Sequence, residues 1–242
     1  MSRTLALTLA VAFAAAPALP AQNRYVFGFT HTDDAAPADA VQLVTDQGVF
    51  VAALRGWFDQ GGFHHPANDN YLTGSLDGFW YRDFFLFDLG GLGAFRSATL
   101  RVRNPVAPPS VCYVSPAPCN GFESPNSAET LLIRYLDPSY YASLGLRGTG
   151  RTDLFGALGA GPVIGSRRFT AADNGAWVDI GLNDTGLGTL NGRTGGLWGL
   201  GGSLADDPGN VALTTTPEPA VVVLLGTGVL VLAGLGAVRR RR

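Results

Sequence analysis

The chain contains no lysine; all 17 of its basic residues are arginine. That absence excludes a P-loop lysine, a Schiff-base lysine and a Ser–Lys dyad. Histidine is scarce (His31, His64 and His65), as is cysteine (Cys112 and Cys119). Acidic chemistry falls almost wholly to aspartate, 16 residues against three glutamates. Charged residues make up 15% of the chain, well below the roughly 25% of an average soluble domain. No Gly-x-Ser-x-Gly elbow and no twelve-residue Asp-x-Asp-x-Asp-Gly calcium loop occurs. Glycine is abundant instead, 33 of 242 residues, with 15 prolines.

Both ends are apolar. Met1-Ser2-Arg3 gives a short positive start, residues 5–16 are apolar or small, and Pro17-Ala18-Leu19-Pro20-Ala21 is turn-prone. This order predicts a signal peptide over residues 1–21, cut by signal peptidase after Ala21 or, alternatively, Ala18. At the other end Pro217, Glu218 and Pro219 precede 19 residues without charge, 220–238. Arg239, Arg240, Arg241 and Arg242 close the chain. Nineteen apolar residues match the hydrocarbon core of a bilayer, and the arginines would stay on the cytoplasmic side. An ordinary tail anchor explains the span and the arginines but not the Pro-Glu-Pro.

Residues 217–242 resemble the PEP-CTERM sorting signal of exported Gram-negative proteins: Pro-Glu-Pro, a Gly-rich apolar helix, then an arginine cluster. The resemblance implies processing by an exosortase. It also implies passage through the inner membrane and delivery to the cell surface or extracellular matrix, often alongside exopolysaccharide. The transmembrane helix is then a handle that is removed. The competing expectation is a permanently membrane-anchored surface protein.

The region between the two ends, residues 22–216, carries 12 basic and 18 acidic side chains, a formal charge near −6. Such a surface argues against nucleic acid, whose affinity rests on cations meeting phosphates. Its length suits one domain. Apolar runs at 24–29, 48–54, 79–89, 98–103, 129–136, 177–182, 197–204 and 211–215 read as strands separated by Gly, Asn, Asp and Pro. In the longest run Phe79, Tyr81, Phe85, Phe87 and Leu89 share one face, with Asp83 the exception, and Trp80, Phe84 and Leu86 share the other. Such a strand is expected to be central and covered on both sides. Ala98, Leu100 and Val102 are expected to point inward, and Thr99, Arg101 and Arg103 outward. Residues 138–144 and 184–190 are expected to make short helical turns. The expected fold is all-β: an antiparallel β-sandwich, jelly-roll-like, with a signal peptide before it and a transmembrane helix after it. The run 84–89 followed by 97–102 looks like a strand pair of extracellular carbohydrate-binding jelly rolls.

Export places Cys112 and Cys119 in an oxidising compartment, and a disulfide between them would clamp the Pro-rich stretch 108–125. The stretch 57–70 offers Trp57, Asp59, His64, His65, Asp69 and Asn70 as a candidate ligand loop, with aromatic faces at Phe63 and Tyr71 that sugar rings stack on. Adjacent histidines on a strand point to opposite faces, so a transition-metal site is not expected there. Asp33, Asp34 and Asp39, with Asp206, Asp207 and Asn210, are acidic clusters; turn chemistry explains them, and structural calcium at Asp33, Asp34, Asp206 and Asp207 is the alternative. No pair of carboxylates is set apart for acid–base work. The expectation is a non-catalytic exported protein, structural or carbohydrate-contacting, with no resident cofactor; a secreted polysaccharide hydrolase is the competing class.

Overall fold

The longest apolar run of the chain becomes its central strand. The computed structural model describes residues 24–28, 38–66, 70–76, 78–90, 94–105 and 121–208. Their strands, in order, are β1 (Arg24–Gly28), β2 (Val41–Thr45), β3 (Gly48–Val51), β4 (Leu54–Asp59), β5 (Leu72–Leu76), β6 (Phe79–Asp88), β7 (Ala98–Arg103), β8 (Glu129–Tyr135), β9 (Val163–Phe169), β10 (Trp177–Gly181) and β11 (Leu197–Leu204). Three short helices interrupt them: α1 (Tyr141–Leu144), α2 (Thr152–Leu158) and α3 (Asp184–Asn191). Among the described residues no helix is long and apolar enough to cross a membrane. The run 220–238 lies outside them, as do residues 1–21 and the expected strand at 211–215.

The strands pair antiparallel in two sheets. The larger runs β1-β5-β6-β11-β8-β9 with β4 also on β6; the smaller runs β10-β7-β2-β3. At Tyr81 both Asp59 of β4 and Gly74 of β5 pair with β6, so those two strands occupy opposite edges of it. β11 pairs with β6 from Asp83 to Asp88 on the edge away from β4, continuing where β5 stops. A ten-residue strand thus has neighbours along both edges, the position that near-continuous hydrophobicity predicts.

Period-two alternation sorts its side chains into two cores. Phe85 and Phe87 join Val41, Leu43, Leu100, Val102, Leu131, Ile133, Val178, Ile180, Trp198 and Leu200 in the space between the sheets. Phe84 and Leu86 point the other way, into a second core with Phe58, Leu136, Tyr141, Leu144, Leu154 and Leu158. Burial of each such side chain stabilises the fold by about 1.5–3 kcal/mol. β7 alternates as its sequence predicts, with Ala98, Leu100 and Val102 buried and the intervening residues half-exposed. Phe79 departs from expectation at 48% exposure. It pairs with Leu76 at the tip of the β5–β6 hairpin, beyond both cores.

The expected strand 48–54 is two strands in different sheets. β3 hydrogen-bonds with β2 of the smaller sheet and β4 with β6 of the larger. Between them Ala52 N–H donates to Val41 O and Ala53 N–H to Leu86 O, so the chain changes sheets within two residues. α1 and α3 fall where short turns were expected. The Asp137 carboxylate accepts from Ser139 N–H ahead of α1, and the Asn183 side chain accepts from Gly186 N–H at the start of α3. α2 carries no side-chain cap and is held by its tertiary contacts.

Glycine decides where α1 and α2 rest. Trp198 and Leu200 of β11 face the inter-sheet core, which turns Gly199 and Gly201 toward the helices. A Cβ at Gly201 would sit 2.5 Å from the Leu158 carbonyl oxygen, and one at Gly199 would fall inside the contact distance of the Tyr141 ring. The bare backbone lets the helices approach this face closely. Gly199 N–H donates to Tyr141 Oη at 2.8 Å, and Tyr141 Oη–H donates to Leu136 O at 3.1 Å.

Candidate functional site

The candidate loop at 57–70 divides between surface and interior. Trp57 is half-buried on β4, with its ring edge-on to Tyr81 at 5.1 Å and tilted against Phe63 at 6.1 Å. Asp59 ends the strand and closes the turn: Phe63 N–H donates to its Oδ1 at 2.9 Å and Gly62 N–H to its backbone oxygen at 2.8 Å. His65 is half-buried and Asn70 is buried; Asp69 lies outside the described residues.

His64 turns into the helix-side core. Its ring lies 4.8 Å from Phe58 and 5.4 Å from Phe84, over Gly56, where a Cβ would leave 3.0 Å to the imidazole. Nδ1 lies 2.9 Å from Trp57 O. A carbonyl only accepts, so the ring proton sits on Nδ1. Burial pushes the imidazole pKa below its usual value, partly offset by that hydrogen bond. The ring is therefore neutral at pH 7, with Nε2 unpaired among the described residues. No group of three or more His, Cys, Asp or Glu able to hold a metal occurs among the described residues.

Asp206 and Asp207, candidates for calcium, each face a guanidinium. Arg24 binds Asp206 and also reaches Glu129 with Nε–Oε1 3.0 Å and Nη2–Oε2 2.6 Å. Burial would raise Glu129, but Arg24, Ser124 and Asn126 together hold it below its usual range. Asp207 meets Arg82 Nε at 2.7 Å, both side chains being 2% exposed. Arg82 also donates to Phe155 O at 2.7 Å and lies 4.1 Å above the Phe155 ring. This pair ties the end of β11 and helix α2 to β6. Asp33, Asp34, Asn210, Cys112, Cys119, Pro217, Glu218, Pro219 and Arg239 to Arg242 lie outside the described residues.

Asp83, the exception in the long run, is fully buried on the inter-sheet side of β6. No hydrogen bond of normal geometry reaches either carboxylate oxygen among the described residues. Burial pushes its pKa up to about 7, with the nearby Thr73 hydroxyl and Gly202 N–H offsetting part of the rise. The carboxyl sits over Gly202, where a Cβ would collide with it.

The outer face of the smaller sheet was not foreseen as a site. Register places Asp179, Arg101, Gln42 and Val51 in one row across its four strands. Trp177 and Arg103 pair in the next row. Arg101 and Asp179 form a two-pronged ion pair, 2.6 and 2.9 Å. The Arg103 guanidinium lies 5.9 Å from the Trp177 ring centre. Asp39, Gln42, Arg101, Trp177 and Asp179 line a groove of about 370 Å³. The outward alternation of Arg101 and Arg103 was legible in sequence; their meeting with Trp177, Asp179 and Gln42 depends on strand order.

Comparison with known proteins gives no matching family model, no matching curated protein and no matching solved structure.

Proposed function

We propose that this chain is an exported, non-catalytic surface protein with a β-sandwich body of jelly-roll kind, sorted through a PEP-CTERM tail. The observation that carries the reading is the order Pro217-Glu218-Pro219, 19 uncharged residues, four arginines. A signal peptide over residues 1–21 directs export. The apolar run 220–238 then holds the chain in the inner membrane with its arginines inside. An exosortase acts near Pro217–Pro219, and the body passes to the cell surface or matrix, where exopolysaccharide is the expected company.

The body suits such handling. Its last described strand ends at Leu204, and Asp206 and Asp207 are fastened to Arg24 and Arg82. Among the described residues, the last member of either core is Leu204, ahead of a cut near residue 217. Among the described residues no second carboxylate acts on the buried carboxyl of Asp83, so the paired carboxylates of a glycosidase are not assembled there.

Intact mass of the protein from its own cells, beside a Glu218→Ala variant, tests the reading. A chain running from near Gln22 to near Pro217, with the tail retained in the variant, is the expected result. Retention of Arg239 to Arg242 in both proteins would replace sorting with permanent anchoring.

A further inference from the structure

We propose that the outer face of the smaller sheet binds neutral polysaccharide through Trp177, Gln42 and the Arg101–Asp179 pair. The proposal deepens the reading of the chain as a surface protein: that reading says where glycan would be met, while the binding chemistry rests on the sheet.

Sugar rings present two things to a protein. One is a patch of C–H bonds on the ring face, which packs on an aromatic plane. The other is a set of hydroxyls that both donate and accept. Trp177 supplies the plane and is 40% exposed, although a tryptophan is costly to leave in water. Gln42 supplies both a donor and an acceptor from one planar amide, and no hydrogen bond engages that amide among the described residues. Arg101 and Asp179 offer donors and acceptors side by side. Their mutual bonds across β7 and β10 fix both side chains before any ligand arrives. Little rotamer entropy remains to be lost on binding.

Charge selects the class of glycan. Among the described residues, Arg101 in the groove and Arg103 beside Trp177 are balanced by Asp39 and Asp179, and Arg167, which acts on Asp179, is itself paired with Asp173. A phosphate- or uronate-rich polymer would need surplus cation there; a neutral one does not. The groove, about 370 Å³, is at the small end of ligand sites and accepts a short stretch of chain lying across the strands. The second aromatic group, Trp57, is already engaged by Tyr81 and Phe63, and the Asp59 carboxylate beside it by Phe63 N–H. Phe79, an aromatic exposed at the tip of the β5–β6 hairpin, serves as the control.

Affinity electrophoresis of the full chain in mild detergent tests this, with dextran, hydroxyethylcellulose or galactomannan in the gel as neutral probes and polygalacturonate as the acidic one. Retardation is expected in at least one neutral gel, exceeding any in polygalacturonate. Trp177→Ala and Gln42→Ala should each weaken it about tenfold or more with an unchanged thermal melt, while Phe79→Ala leaves it intact. Three results each overturn the proposal: no retardation by any neutral probe, equal or stronger retardation by polygalacturonate, or unchanged retardation in either groove variant. The mass measurement on Glu218→Ala reads sorting alone, so failure of one reading is distinct from failure of the other.

Discussion

The two sheets treat their outer faces in opposite ways. The larger sheet turns Gly56, Gly199 and Gly201 outward and is covered there by Phe58, Phe84 and helices α1 and α2. The smaller sheet turns Trp177, Arg101, Arg103, Asp179 and Gln42 outward, and Val49 and Val51 stand exposed on its edge strand. Both faces carry an Arg–Asp pair. On the covered face Arg82–Asp207 is out of water; on the open face Arg101–Asp179 is wet. Small residues admit a backbone, whereas large polar and aromatic ones hold a backbone off and leave a surface for something else. The same ion-pair chemistry is structural on one side and available on the other.

The largest effect that should separate the faces is loss of the buried pair. Asp207→Ala leaves Arg82 charged in an apolar setting, and the fold should lose about 3–5 kcal/mol. Denaturant titration measures it, and a loss below 1 kcal/mol would mean that water reaches the pair.

Next is the pH dependence of Asp83, which lies between the sheets. Its folded pKa, about 7, stands above the ordinary 3.8. The protonated form is thus favoured by folding, and the stabilisation is fully present below pH 4. It falls as pH rises toward 7 and is gone above that, a change of at most about 4 kcal/mol for a shift of this size. Melting temperature should decline from pH 5 to pH 8 in the native chain and decline less in Asp83→Asn, which should also be the more stable of the two at pH 8. Parallel curves for the two proteins would remove Asp83 as the cause.

A pair of glycine substitutions sharpens the contrast directly. Gly201→Ala places a methyl against the α2 backbone and should cost about 1–3 kcal/mol. Gly181→Ala, on the open face, meets nothing within 4 Å and should change the denaturation midpoint little. Equal costs would mean that helix packing does not depend on the bare face.

The smallest effect belongs to Asp179→Ala. An exposed pair of this kind contributes about 0.2–1 kcal/mol and weakens with salt. A loss as large as that of Asp207→Ala would mark the open face as covered by some further part of the chain.

Much of the fold was legible because burial imposes period two on strands. β6, β7, β8, β10 and β11 match the apolar runs, and even the odd residue of β6, Asp83, was visible as an exception. β4, β5 and β9 were harder to read because Gly56, Gly74 and Gly165 interrupt their apolar pattern. Gly74 must be glycine on two counts: its φ is +125°, and the Arg24 backbone lies where a Cβ would go. α2 lacks a capping side chain, so nothing local announces it. The candidate loop misled for a different reason. His64 reads as an exposed ligand beside aspartates, yet the room over Gly56 and the Trp57 carbonyl draw its ring inward.

What sequence alone determined is whatever depends on neighbours along the chain. That covers the alternation of the strands, the two short capped turns, and the order of tail residues on which sorting is proposed. Tertiary structure decided which strands stand side by side. Arg101 and Asp179 are 78 residues apart and meet only because β7 and β10 pair; Arg82 and Asp207 are 125 apart and meet through β6, β11 and the turn that follows. Cross-strand register is set by the summed packing of both cores, and no local stretch carries that sum.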